Sequence, residues 1–111
     1  MGILDVVVLS VEFFTTEAGR QPAKEFLDDL LPADVAFIIA DIRAYAKDQR
    51  NAPVSWKAIR GHRPMAELRT GRFRTLFAVA DGTMWILGVC KKQDQEREIV
   101  AASTRMKQLV K

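Results

Sequence analysis

Met65-AELRTGRFRTLFAVADGTMWILGVC-Lys91 decides the fold, because three runs of strand-forming residues, Met65 to Arg69, Phe73 to Ala80 and Thr83 to Lys91, are separated only by Thr70-Gly71-Arg72 and Asp81-Gly82. Asp-Gly between two such runs is a hairpin signal, since both central positions of a type I′ turn need positive φ. The spacing predicts an antiparallel meander. Side chains alternate along a strand, so Phe73, Thr75, Phe77 and Val79 share one face of it and Arg74 points to the other.

Working outward, the segment before the meander, Asn51 to Pro64, loses all periodicity and carries Pro53, Gly61 and Pro64. It reads as a loop, and a basic one, with Trp56, Lys57, Arg60, His62 and Arg63 inside it. Further upstream, Pro22 suits the first turn of a short helix in which Ala23, Phe26, Leu27 and Leu30 recur at helical spacing. Leu31 and Pro32 break it, and a longer helix follows with Val35, Ile38, Ile39, Ile42, Tyr45 and Ala46 in one stripe and a charged opposite face. Together they form an αα-hairpin that lays its apolar stripe on a sheet. Leu4 to Phe14, rich in Val and Phe, reads as a first, buried strand. Beyond the meander, Ile99, Ala102, Met106 and Leu109 mark a terminal helix within Asp94 to Val110, with Arg97, Arg105 and Lys107 on its exposed side. The order β-α-α-β-β-β-α gives an α+β fold, an antiparallel sheet packed by an N-terminal αα-hairpin with a C-terminal helix. With 111 residues and no internal repeat or linker, the whole chain, 1–111, reads as one domain.

The net charge of +3 conceals an asymmetry: residues 1–55 hold 5 Lys/Arg against 9 Asp/Glu, and residues 56–111 hold 12 against 5. Eight of those cations fall between Trp56 and Lys92, where Glu67 and Asp81 are the only acids, so polyanions are the natural partners. No stretch is long and apolar enough to cross a bilayer, and the N-terminus lacks the pattern of a signal peptide, so a cytoplasmic protein is expected. The single cysteine, Cys90, sits in an apolar run, fitting a buried structural thiol in a reducing compartment better than a nucleophile.

Four segments then occur in a fixed order: Lys57-Ala58-Ile59-Arg60-Gly61, Ala66-Glu67-Leu68-Arg69, Phe73-Arg74-Thr75-Leu76-Phe77 and Ile86-Leu87-Gly88-Val89-Cys90-Lys91-Lys92. This pattern resembles the RelE/HigB family of toxins, most closely its HigB branch with its phage-derived relatives. There a K-x-L-x-G loop precedes an E-L-R strand, a hairpin beginning near Y/F-R, and a strand ending in K-K. The likeness covers roughly Pro22 to Met106. It implies a type II toxin that cleaves mRNA in the ribosomal A site without metal or cofactor and so inhibits translation. It also implies a HigA-like helix-turn-helix antitoxin, encoded beside the toxin, through which alone the complex would touch operator DNA.

Metal-free RNA cleavage needs a base for the 2′-OH, cations around the phosphorane and an acid for the leaving 5′-oxygen. Arg69 and Arg74 match phosphate oxygens bidentately, and Lys57 and Lys92 supply point charges; these four are the catalytic candidates. In the resemblance Arg69 takes the place of the E-L-R arginine, Arg74 that of the Y/F-R arginine, Lys91-Lys92 the basic pair and Lys57 the loop lysine. A lysine acts as base only where burial or neighbouring cations depress its pKa. His62 belongs to the side-chain type that ordinarily titrates near neutrality, and histidines contribute to catalysis in some members of the HigB branch. Arg60, His62, Arg63, Arg72 and Lys91 are candidate contacts to RNA phosphate. Trp56 is either a stacking partner for an unpaired base or a packing residue. Glu67 is either a base or, beside Arg69 on the same strand face, an ion-pair partner that orients the arginine; the second reading is preferred and leaves it out of the catalytic set. The pattern departs from some RelE members in lacking a tyrosine after Lys92; the only tyrosine, Tyr45, lies on the apolar stripe. The terminal-helix residues Ile99, Met106 and Leu109, or the αα-hairpin, are the expected antitoxin surface. Two rivals share the fold: a ParE-like inhibitor of DNA gyrase that cleaves nothing, and a catalytically inactive nucleic-acid-binding relative.

Overall fold

A computed structural model describes residues 7–110. Its elements run β1 (Ser10–Phe13), α1 (Pro22–Asp28), α2 (Pro32–Lys47), β2 (Ser55–Ala58), β3 (Ala66–Thr70), β4 (Phe73–Ala80), β5 (Thr83–Lys91) and α3 (Gln95–Lys107), with 3₁₀ turns at Lys92–Asp94 and Gln108–Val110. The five strands make one sheet in the order β1-β5-β4-β3-β2. Asp81 and Gly82 both take positive φ, 50° and 77°, as the two-residue β4–β5 turn requires. Gly71, φ 56°, opens the β3–β4 turn.

The α+β class and the meander agree with the sequence reading, and three details of the sheet differ. It is mixed, because β1 pairs in parallel with β5. β1 is an edge strand with no fully buried residue, shorter than the apolar run suggested; Val7 and Val8 lie outside it and Leu4 to Val6 lie outside the described residues. Finally, the basic segment 51–64 contains a strand, β2, which pairs antiparallel with β3. All four of its residues are exposed, so no inward-facing alternation marks it in the sequence.

The sheet carries a core on each face. Toward α1 and α2 lie Phe73, Phe77, Leu68, Met84, Ile86 and Val89, packed against Ala23, Leu27, Ile38, Ile42 and Tyr45. Toward α3 lie Leu76, Ala78, Leu87 and Met65, packed against Ala102. A register shift between Leu76 and Phe77 interrupts the β4–β5 ladder. The bulge turns both Leu87 and Gly88 toward α3, and there the absent side chain of Gly88 makes room for Glu98 and Arg105. Arg105, expected on the exposed side of its helix, accordingly reaches in, donating from Nη1 to the Leu87 carbonyl at 2.7 Å and to Glu98 at 2.9 Å.

The outer face of α2 also differs from expectation. Only Arg43 and Lys47 charge it; Ala33, Ala36, Phe37 and Ala40 occupy the rest, and Phe37 is 67% exposed. Its acids point sideways instead, Asp41 accepting the Thr70 hydroxyl at 2.6 Å and tying α2 to the β3–β4 turn. Among the described residues, no helix is long and apolar enough to cross a membrane.

Candidate basic cleft between the sheet and the last helix

Register assembles the site. Lys57 lies opposite Glu67, Arg69 opposite Arg74, and Arg74 opposite Cys90. These residues alternate with Trp56, Leu68, Thr75 and Val89, so the charged set shares the face toward α3. Three of the four catalytic candidates, Lys57, Arg69 and Arg74, therefore stand on two adjacent rows of one sheet face.

Glu67 organises them. Its carboxylate is buried, 2% exposed, and accepts the Arg69 Nε–H at 2.9 Å through Oε2, the Gln95 side-chain amide through Oε1, and an ion pair from Arg74 Nε at 3.5 Å. The orienting role expected of Glu67 is what the geometry shows. Because Arg69 spends only Nε on this contact, its two terminal nitrogens have no partner among the described residues. That leaves the guanidinium fork open for a bidentate anion. The Arg69 side chain is 40% exposed. It lines a cavity of about 310 Å³ with Lys57, Arg60, Glu67, Gln95 and Ile99.

Arg74 is placed differently from the expectation that it faces phosphate. Its side chain is buried, and Nη1 donates to the carbonyls of Gly71 at 2.8 Å and Phe73 at 2.9 Å. It braces Glu67 and the β3–β4 turn from beneath and is not among the cavity's lining residues. Lys92 is exposed in the turn after β5, its backbone N–H donating to the Arg72 carbonyl at 2.8 Å, and Lys91 lies opposite Phe73. Arg72 leaves the group altogether: its guanidinium lies 5.1 Å from the Phe73 ring centroid and 3.8 Å from the Asp34 carboxylate, on the side of α2.

His62 and Arg63 line a second cavity further along α3, described below. Trp56 is 45% exposed and packs edge-on against Tyr45, ring centroids 5.5 Å apart, on the opposite face of the sheet from Lys57. Tyr45 is buried, as expected from its stripe, and that burial raises its hydroxyl pKa. Cys90 is a buried thiol, pushed up to about 12 by burial and then by the nearby Glu98 and Asp94 carboxylates. Among the described residues, no three His, Cys, Asp or Glu side chains stand together as ligands for a metal ion.

Gln95 was not singled out from the sequence, yet it holds the other oxygen of Glu67 and brings the first turn of α3 to the cavity. A glutamine at a helix start carries no local signal of a contact 28 residues away. Gly88 carries one, since glycine inside an apolar strand marks a close approach by something else. Compared with known protein families, the chain matches no family model, and no curated protein sequence matches it. The likeness to RelE/HigB toxins therefore rests on the four short segments quoted above.

Proposed function

We propose that the chain is a RelE/HigB-type toxin, a ribosome-dependent endoribonuclease that cuts mRNA in the A site and is neutralised by a HigA-like antitoxin. One observation carries the reading: a buried carboxylate, Glu67, grips Arg69 by Nε and leaves its outer fork free at a cavity that Lys57 and Arg60 also line. Three cations thus converge where a phosphodiester would lie, and the strongest of them for oxyanions is held in a fixed orientation. The RelE-like topology belongs to the same proposal and is supported by the α+β sheet, its αα-hairpin and its C-terminal helix.

In this scheme the 2′-oxygen attacks phosphorus, its proton leaving to a base, and the 5′-oxygen departs with a proton, giving a 2′,3′-cyclic phosphate. Arg69 meets the non-bridging oxygens, where charge builds in the phosphorane. Lys57 and Arg60 hold the flanking backbone as point charge and fork. Arg74 acts through Glu67 as a positioning residue.

The test is in vitro translation of a defined mRNA with the purified chain, mapping 5′ ends by primer extension, beside folded Arg69→Ala and Lys57→Ala variants. Cleavage within ribosome-bound codons, lost with Arg69→Ala and absent on naked RNA, is expected. Intact mRNA would overturn the nuclease, and inhibition of gyrase supercoiling by the same sample would then favour the ParE-like reading.

A further inference from the structure

The candidate site is not the one cavity beside α3 and the segment that joins β2 to β3. One flank of α3 carries Glu96, Ile99, Ser103, Met106 and Lys107, and two cavities open along it. The first holds Lys57 and Arg69. The second, of about 470 Å³, has an apolar floor of Ala78, Ala80, Met106 and Leu109 and a rim of His62, Arg63 and Lys107. No lining residue is acidic, and none of the three rim side chains has an ion-pair partner among the described residues.

An apolar floor beneath two cations, Arg63 and Lys107, that are unpaired among the described residues suits a ligand with a flat apolar body and an anionic attachment. A nucleotide has that form: bases bury their faces against apolar side chains, thioether sulfur makes favourable contacts with aromatic rings, and the phosphate takes the cations. The spacing agrees. Ile99 at the first cavity and Met106 at the second are seven residues apart, about 10 Å along a helix, or about three nucleotides at the 3.4 Å rise of a stacked strand.

We propose that this second cavity is a base-binding subsite, taking one unpaired base of the single-stranded RNA whose scissile phosphate lies at Lys57 and Arg69, with His62, Arg63 and Lys107 on that nucleotide's phosphate. The inference rests on the function proposed above and adds to it a means of gripping the strand about one codon from the cut. Ser103, half-buried on the flank of α3, is where a larger side chain would fill the cavity.

The experiment is fluorescence anisotropy of the full chain with a labelled 2′-O-methyl RNA hexamer, which binds without being cut, and with the matching dinucleotide. Ser103→Phe is expected to weaken the hexamer about tenfold and leave the dinucleotide unchanged, the size of one lost base contact. Lys107→Gln, at an exposed side chain with no hydrogen bond or ion pair among the described residues, is expected to lower the salt dependence of hexamer binding by about one phosphate. Hexamer affinity and salt slope both unchanged in Lys107→Gln, with Arg69→Ala still weakening binding, would overturn the subsite while leaving the nuclease intact. Loss of ribosomal cleavage with the hexamer pattern retained would do the reverse. If Ser103→Phe and Lys107→Gln instead release only an acidic peptide and no RNA, the cavity is a protein-docking site and the inference is wrong.

Discussion

Glu67 and Arg69 stand two residues apart on β3 with Oε2 and Nε 2.9 Å apart, the acid buried and the base 40% exposed. A sequestered carboxylate thus aims an open guanidinium. Arg69→Ala takes one of three partners from the buried Glu67 carboxylate, which keeps Gln95 and Arg74, so it should lower stability by only about 1–2 kcal/mol. Its effect on ribosomal cleavage should be far larger, a loss of about a hundredfold or more, as for removal of one oriented donor to a developing oxyanion. Urea unfolding and primer extension on the same preparation check both halves. A fall in stability matching the fall in activity would place Arg69 in the scaffold.

Removing the acid should do the opposite. Glu67→Ala leaves the buried Arg74 guanidinium with only carbonyl partners and should cost roughly 3–5 kcal/mol, the penalty of a stranded buried charge. Glu67→Gln keeps the shape and the contacts to Arg69 and Arg74 in neutral form, and should cost less. Urea midpoints read the difference. A cost under about 1 kcal/mol for the alanine variant would show that the Gly71 and Phe73 carbonyls alone satisfy Arg74.

Gly88 has an ordinary backbone, so its requirement is one of space. A Cβ there would lie 2.5 Å from Glu98 Oε2 and 3.1 Å from Arg105 Nη1. Gly88→Ala should push Glu98 aside, break its pair with Arg105 and cost about 1–3 kcal/mol. Combined with Glu98→Ala, the two costs should fall well short of additive. Additive costs in a double-mutant cycle would mean that the alanine clashes elsewhere.

Thr75 Oγ1 is buried in the core beneath α1 and α2 and has no hydrogen-bond partner among the described residues. Thr75→Val should raise stability by about 1 kcal/mol, because it removes an unsatisfied hydroxyl at nearly constant shape. An unchanged or lowered urea midpoint would show that the hydroxyl is satisfied in solution.

The Cys90 thiol, pushed up to about 12 chiefly by burial, sets an alkaline limit. Its folded pKa lies above the unfolded value of about 8.5. The stability of the neutral buried thiol is therefore fully present below about pH 8.5 and is lost as pH rises toward 12. Cys90→Ala should lose less stability than the parent between about pH 9 and 11. Parallel curves in urea titrations across that range would refute the assignment. Native protein should also resist alkylation near neutral pH.

Much of this architecture was legible because its signals are local. The Asp81-Gly82 turn and the flanking runs specify the β4–β5 hairpin, and Pro22 and the stripe through Ile38, Ile42 and Tyr45 specify the helices. What escaped depends on contacts distant in sequence. β2 is an exposed edge strand whose only cause is pairing with β3, so Ser55 to Ala58 read as loop. The parallel seating of β1 on β5 joins Ser10 to Thr83, which no pattern within either segment records. Within the site, alternation gave Arg74 its face of β4 and put Glu67 beside Arg69 on one face of β3, whereas Lys57 read as part of a loop and reaches that face only through the pairing of β2 with β3. The burial of Arg74 was not legible, since it follows from Glu67 and the turn carbonyls closing around it.

The seating of β1 also bears on how the polypeptide acquires its shape as it is made. Synthesis delivers the first strand when β5, with which it pairs, lies some seventy residues ahead, and translation runs at about 5–20 residues per second. β1 therefore waits several seconds for β5. Until the β4–β5 hairpin has left the exit tunnel, the nascent chain has neither the second core nor the row that joins Arg69, Arg74 and Cys90. A protein that attacked ribosomes would in this way be without its cutting face until β5 had emerged from the one producing it.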